Sequence, residues 1–126
     1  MAGSQNVLIV EDDGLIAELY RTTLVRDAYH VEIAHDSNAA FELIKSFKPD
    51  VIFLDIMLPG MSGIDILKIL RTKPEYGCMD KKILLLTNLA QKDMAATAVE
   101  YDADGYIIKA DVLPTDLSHI IKSLDE

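Results

Sequence analysis

The sequence predicts an α/β domain built on a doubly wound, five-stranded parallel sheet with five helices covering both faces. Three observations predict it. Short apolar runs alternate strictly with segments of helical periodicity, which implies parallel strands joined by crossover helices. The runs are largely continuous, as burial on both faces requires, and not polar at every second position. The chain has 126 residues, half of them hydrophobic, which suits one compact domain with a real core.

The elements follow in order. Val7–Val10 is a strand that stops at the charged loop Glu11-Asp12-Asp13-Gly14. Leu15, Ile16, Leu19, Tyr20 and Leu24 then recur at helical spacing, and the first helix closes at Arg26-Asp27. Val31–Ala34 is a short second strand. Asp36 or Ser37 caps the second helix, whose buried face is expected to carry Ala40, Leu43, Ile44 and Phe47. Lys48-Pro49-Asp50 ends it, because proline disfavours helix in the residue before it.

Val51-Ile52-Phe53-Leu54 runs straight into Asp55 and then into a Pro/Gly-rich loop, which reads as a buried third strand. Ser62 caps the third helix with Asp65 as a weak capping-box partner, and Ile66, Leu67, Ile69 and Leu70 form its stripe. Pro74–Asp80 is a loop. Ile83–Leu86 is the fourth strand, ending at Thr87. Met94, Ala95, Ala98 and Val99 mark a short fourth helix, and Asp102–Gly105 a turn. Tyr106–Ile108 is the fifth strand, ending at Lys109. The last helix shows Leu117, Ile120, Ile121 and Leu124, with Pro114 near its start, where a missing N–H costs little.

Composition narrows the function classes. Twelve Lys and Arg against 21 Asp and Glu give a formal net charge of −9, which argues against nonspecific nucleic-acid binding and suits metal cations or basic partners. Cys78 is the single cysteine, so no internal disulfide forms, and a reducing, cytoplasmic location is expected. No apolar run approaches the ~18–20 residues that span a bilayer. Residues 1–5 carry no signal-peptide pattern and read as a disordered start or a cloning remnant, with the domain proper over 6–125.

The chemistry gathers at the C-terminal strand ends, the edge where open α/β sheets bind ligands. Strand one delivers Glu11 and Asp12, strand three Asp55, strand four Thr87 and strand five Lys109. Converging carboxylates repel unless a cation joins them. An all-oxygen set of this kind suits Mg²⁺. A cation and a Lys ammonium together neutralise phosphoryl oxygens, and a carboxylate can attack such a group to form an acyl phosphate. The set therefore fits phosphoryl transfer to Asp55, with Thr87 donating to a phosphoryl oxygen. Asp13 reads as a helix-entry residue, His30, His35 and His119 as surface residues, and Asp102 and Asp104 as turn residues. Cys78 and Met79 read as loop residues without visible chemistry.

On these residues the chain resembles receiver domains of two-component response regulators, of the chemotaxis-receiver kind. The resemblance is carried by Val7–Asp13, by Asp55 with Pro59 and Gly63, by Leu85-Leu86-Thr87, and by Gly105–Lys109. It implies a flavodoxin-like strand order 2-1-3-4-5, an order the receiver fold itself exemplifies. It also implies Asp55 as phosphoacceptor, Lys109 as its counter-charge, and Mg²⁺ held by Glu11, Asp12, Asp55 and the Met57 carbonyl. Thr87 and Tyr106 match the switch pair that alters a surface on helix 4, strand 5 and helix 5. The implied partners are a sensor histidine kinase or phosphotransfer protein and a downstream output protein. No direct nucleic-acid or membrane contact is expected, and the protein should be a monomer or weak dimer.

The sequence also departs from the family. Ala110 follows Lys109 where receivers usually have proline, so the Lys109–Ala110 peptide is either trans or a cis bond held at a cost of ~3 kcal/mol. Asn88 stands where a small residue is common. Met57 and Leu89, two past Asp55 and Thr87, offer no polar group to orient water, which predicts slow self-dephosphorylation. The chain is expected to be a signalling switch and not a turnover enzyme. Acids after strand one exclude a Gly-rich dinucleotide fingerprint or a P-loop, and Met57 stands where an aspartate-based phosphatase wants a second acid. A receiver-like interaction module that is never phosphorylated, or a phosphorelay carrier, are the alternatives. The chain would stand alone or be part of a longer regulator.

Overall fold

The computed structural model describes residues 5–101 and 103–124. Five strands, β1 (Asn6–Val10), β2 (His30–Ala34), β3 (Val51–Asp55), β4 (Lys82–Thr87) and β5 (Gly105–Ile108), alternate with five helices. These are α1 (Gly14–Arg26), α2 (Ser37–Phe47), α3 (Gly63–Thr72), α4 (Lys92–Tyr101) and α5 (Leu117–Leu124). The sheet is parallel throughout, in the order β2-β1-β3-β4-β5, as expected. Among the described residues no helix is long and apolar enough to cross a membrane. Residues 1–4, Asp102, Asp125 and Glu126 lie outside the described residues. Gln5 is held by the His30 N–H, which donates to its carbonyl at 3.1 Å.

The continuous apolar runs have a direct explanation. Along each central strand, alternate residues feed two separate cores. Leu8, Val10, Ile52, Leu54, Ile83 and Leu85 pack toward α2, α3 and α4. Val7, Ile9, Val51, Phe53, Leu84 and Leu86 pack toward α1 and α5. The edge strand β2 differs: Val31 and Ile33 are half-buried and His30 and Glu32 exposed, so this strand alternates.

Helix ends are set by local chemistry. Asp13 Oδ1 accepts from the Leu15 and Ile16 N–H groups, and this makes Asp13 the N-cap of α1. Asp36, not Ser37, caps α2, accepting from the Ala39 N–H at 2.8 Å, while Ser37 is buried. Lys48 terminates α2 in the left-handed region at φ 53°, directly before Pro49. Ser62 Oγ accepts from the Asp65 N–H at the start of α3.

Two expectations need correction, those for α1 and for Met94. Leu15 and Leu19 are exposed; α1 buries Ala17, Tyr20, Thr23 and Leu24 instead. At about 100° per residue, Leu15 and Leu19 stand roughly 140–180° around the helix from Leu24. Met94 is likewise exposed, while Ala95 and Ala98 face the core of α4. Cys78 lies in a loop but is buried among core residues.

Candidate functional site

The strand pleat sorts the predicted residues. Continuing the alternation of β1, β3 and β5 puts Glu11, Asp55 and Lys109 on the side of the sheet facing α1 and α5. The same count along β4 and β5 puts Thr87 and Tyr106 on the opposite side. A charged cluster and a hydroxyl–aromatic pair thus flank one sheet edge from its two faces.

Asp55 is the last residue of β3 and is 4 % exposed. Lys109 Nζ donates to its Oδ2 at 2.8 Å, and the Met57 N–H donates to its Oδ1 at 3.0 Å. Lys109 Nζ also lies 2.6 Å from Glu11 Oε1, as a close ion contact and not a well-directed hydrogen bond. Glu11 is wholly buried, and its Oε2 accepts from the Asp13 N–H. Asp12, by contrast, is exposed. Oxygens of Glu11, Asp12 and Asp55 all lie within 4.8 Å of one another.

Electrostatics follow from that crowding. Burial, then the neighbouring Asp55, push the Glu11 carboxyl up to about 7, against the pull of Lys109. Burial would lower the Lys109 ammonium, but Asp55 and Glu11 outweigh it and its pKa is raised, so it stays charged. Tyr20, on the inner face of α1, sits in the field of the same three groups, and burial raises its phenol.

Thr87 ends β4, is 1 % exposed, and its hydroxyl donates to the Asn88 carbonyl at 3.0 Å. Tyr106 is half-buried and packs against the core shared by α2, α3 and α4. The structure thus brings Glu11, Asp12, Asp55 and Lys109 together, with Thr87 on the strand between Asp55 and Lys109. The Lys109–Ala110 peptide is trans.

Several residues support the site in ways the sequence does not specify. The His35 Nδ1–H donates to the Glu11 carbonyl at 3.0 Å; a carbonyl can only accept, so this nitrogen carries the proton. Gly63 packs so tightly on the end of β3 that a Cβ there would lie 2.1 Å from the Asp55 carbonyl oxygen. The spacing of eight residues from Asp55 to Gly63 was the visible signal. Leu15 and Leu19 present an apolar patch on α1, directly after the acidic loop that closes β1.

The family model for the response regulator receiver domain matches residues 7–123. The chain belongs to the response regulator receiver family. This receiver is 34 % identical over 106 residues to response regulator MprA of Mycobacterium ulcerans, covering 84 % of this chain and 44 % of that protein. It is 31 % identical over 105 residues to the DNA-binding response regulator MtrA of Mycobacterium tuberculosis, covering 83 % and 44 %. The receiver therefore spans less than half the length of these curated relatives. Among solved structures, a response regulator signal receiver domain from Bermanella marisrubri superposes with a TM-score of 0.84 at 30 % identity, covering 98 % of this chain and 99 % of that one. The chemotaxis response regulator CheY4 of Vibrio cholerae gives 0.81 at 27 % identity, covering 96 % and 98 %. Receivers of this family are signalling switches in two-component response regulators.

Proposed function

We propose that residues 6–125 form one receiver in which Asp55 accepts a phosphoryl group from a phosphohistidine of a sensor histidine kinase or phosphotransfer protein. The observation that carries this reading is the Asp55 carboxylate, buried at a strand end with an ammonium at 2.8 Å and two further carboxylates beside it. A purely structural acid has no use for such neighbours, since each like charge costs stability.

The donor set suits a hard, oxygen-seeking cation: three carboxylates within 4.8 Å, one of them buried with an oxygen that no donor addresses squarely. Glu11, Asp12 and Asp55, with the Met57 carbonyl, would hold Mg²⁺. Bound there, Mg²⁺ would neutralise charge on the oxygens of the transferring group.

The chain's own residues do the rest. An Asp55 oxygen attacks phosphorus, forming a P–O bond while the donor's P–N bond breaks and its electron pair leaves with the imidazole. Lys109 turns its ammonium from the Asp55 carboxylate to a phosphoryl oxygen. The Thr87 hydroxyl gives up the Asn88 carbonyl and donates to another. Tyr106, packed on the same side of the sheet, moves toward the space that Thr87 vacates. The phosphoryl group adds about −1.5 to −2 charges, and the surface of α4, β5 and α5 carries the change to an output protein. Leu15 and Leu19 offer the phosphodonor an apolar footing beside the site. Met57 and Leu89 are both exposed and apolar, and this supports a long-lived acyl phosphate. We place the protein in the cytoplasm, as a monomer or weak dimer without direct nucleic-acid contact.

The test is incubation with Mg²⁺ and acetyl phosphate, read by intact mass for the wild type and Asp55→Ala. One added phosphoryl group in the wild type alone, abolished by a chelator, is the expected result. No gain with any donor would leave a receiver fold used for binding only.

A further inference from the structure

A second feature lies at the opposite edge of the sheet. Between the C-terminal end of α2 and the segment joining α3 to β4 runs a groove of about 310 Å³. Its floor is apolar: Ile44 and Cys78 are each 2 % exposed, and Pro49 is buried. The Tyr76 ring forms one wall, set against Phe41 with ring centroids 5.2 Å apart. Lys45, Lys48 and Lys81 stand around it. Lys45 Nζ lies 5.3 Å from the centre of the Tyr76 ring. Lys81 approaches Asp50 at 3.6 Å, whereas Lys45 and Lys48 make no ion pair among the described residues. Glu75 is the only acid among the described lining residues.

We propose that this groove docks an acidic peptide segment carrying one bulky apolar residue. Charge complementarity selects the occupant: in a chain of net charge −9, three lysines against Glu75 and the Asp50 that approaches Lys81 are a local reversal of sign. The volume selects its form, since it lies at the foot of the roughly 300–1,000 Å³ range of small-ligand sites and takes one large side chain. The lysines are spread around the rim. Flexible ammonium groups so placed suit several carboxylates along a peptide better than a single phosphate, which favours a converging guanidinium fork. A cation at the end of α2 is favoured by the helix dipole, but Lys48 takes that place at φ 53°, where glycine is the easier residue. The apolar anchor stacks on Tyr76 and the buried floor, and the flanking carboxylates face Lys45, Lys48 and Lys81.

The groove opens beside Pro49 and Lys81, which precede β3 and β4, whereas Asp55 ends β3. Five strand residues separate the two edges by about 16 Å. Docking is therefore independent of the Asp55 chemistry, and Asp55→Ala should bind the peptide as the wild type does.

The experiment is an NMR titration of the isotope-labelled protein with the peptide Glu-Asp-Glu-Phe-Glu-Asp-Glu. Backbone resonances of Lys45, Lys48, Tyr76 and Cys78 should move and those of Asp55 and Lys109 should not. The affinity should fall about tenfold or more in Lys45→Glu/Lys48→Glu, and by a similar factor for the peptide with alanine in place of phenylalanine. Both lysines are exposed, so a cooperative urea transition, with its midpoint only modestly lowered by anions at the end of α2, is expected to show that the double variant folds. Unaltered binding by the double variant overturns the proposal, as does equal binding of the alanine peptide. So does an absence of shifts with the peptide, whether or not phosphatidylglycerol vesicles move the same resonances.

Discussion

Replacing Glu11 with glutamine should stabilise the metal-free protein at alkaline pH and leave it nearly unchanged at acidic pH. Glu11 is wholly buried, and its carboxyl is raised from 4.5 to about 7, first by burial and then by Asp55. Between those values the folded chain holds a proton that the unfolded chain has released. Stability therefore falls as pH rises through that window and levels off above it. The gap between 4.5 and about 7 corresponds to about 3 kcal/mol. Glutamine has the same shape without the charge, so the variant escapes the fall. Urea unfolding with EDTA at about pH 5 and about pH 8 measures it, taking the difference between the two proteins so that titrations remote from Glu11 cancel. The variant should gain about 2–3 kcal/mol on the wild type between those conditions, since part of the gap is already lost at pH 5, or roughly 10 °C in Tm for a domain of this size. Mg²⁺ should restore most of the deficit to the wild type at the higher pH and little to the variant. A pH-independent difference, or a wild type that gains on the variant as pH rises, would refute the assignment of Glu11 as a strained, cation-seeking acid.

Other outcomes follow from the same geometry. Arg71 is nearly buried, donates to the Cys78 and Lys81 carbonyls at 2.7 Å each and pairs with Asp104 at 3.0 Å, so Arg71→Ala should cost about 3 kcal/mol in urea unfolding. Gly63→Ala drives a methyl into the Asp55 carbonyl and should cost about 2–3 kcal/mol while lowering the yield of phosphorylated protein by intact mass. Lys109→Ala removes the ammonium between two carboxylates: the mass gain from acetyl phosphate should slow by about a hundredfold, the scale of one electrostatic contact in a transition state. Thr87→Ala should still gain the phosphoryl group, yet NMR shifts at α4 and β5 on phosphorylation should shrink, whereas Thr87→Ser should keep them.

Much of this fold was legible because the central strands are buried twice over. Val7–Val10, Val51–Leu54 and Ile83–Leu86 must be apolar at every position to feed two cores, and each stops where the chain meets solvent and chemistry. The acids and Lys109 were visible for the same reason. The buried face of α1 was not: leucine spacing alone cannot distinguish Leu15 and Leu19, left exposed, from residues that are buried, where the smaller Ala17 joins the core and Thr23 donates to the Pro114 carbonyl. The partner of Lys109 was also hidden in one dimension. Asp55 and Lys109 meet across an intervening strand, a consequence of the order β3-β4-β5 and not of their spacing. The direction of the Thr87 hydroxyl is a rotamer choice that no pattern encodes.

The close approach of Gly63 to Asp55 gives the domain a polarity. The exit of β3 is pinned three times over, by the contact at Gly63, by the Gly63 N–H to the Ile56 carbonyl at 2.9 Å and by the Ile56 N–H to the Leu86 carbonyl at 3.1 Å. On the proposed reading, a group added to Asp55 would meet that pinned flank. The exit of β4 is different: the Thr87 hydroxyl rests on its own neighbour's carbonyl, and Asn88, Leu89 and Ala90 stand exposed. On the proposed reading, one pinned shoulder beside one exposed shoulder would send the change the same way whatever supplies the phosphoryl group: out by the exit of β4.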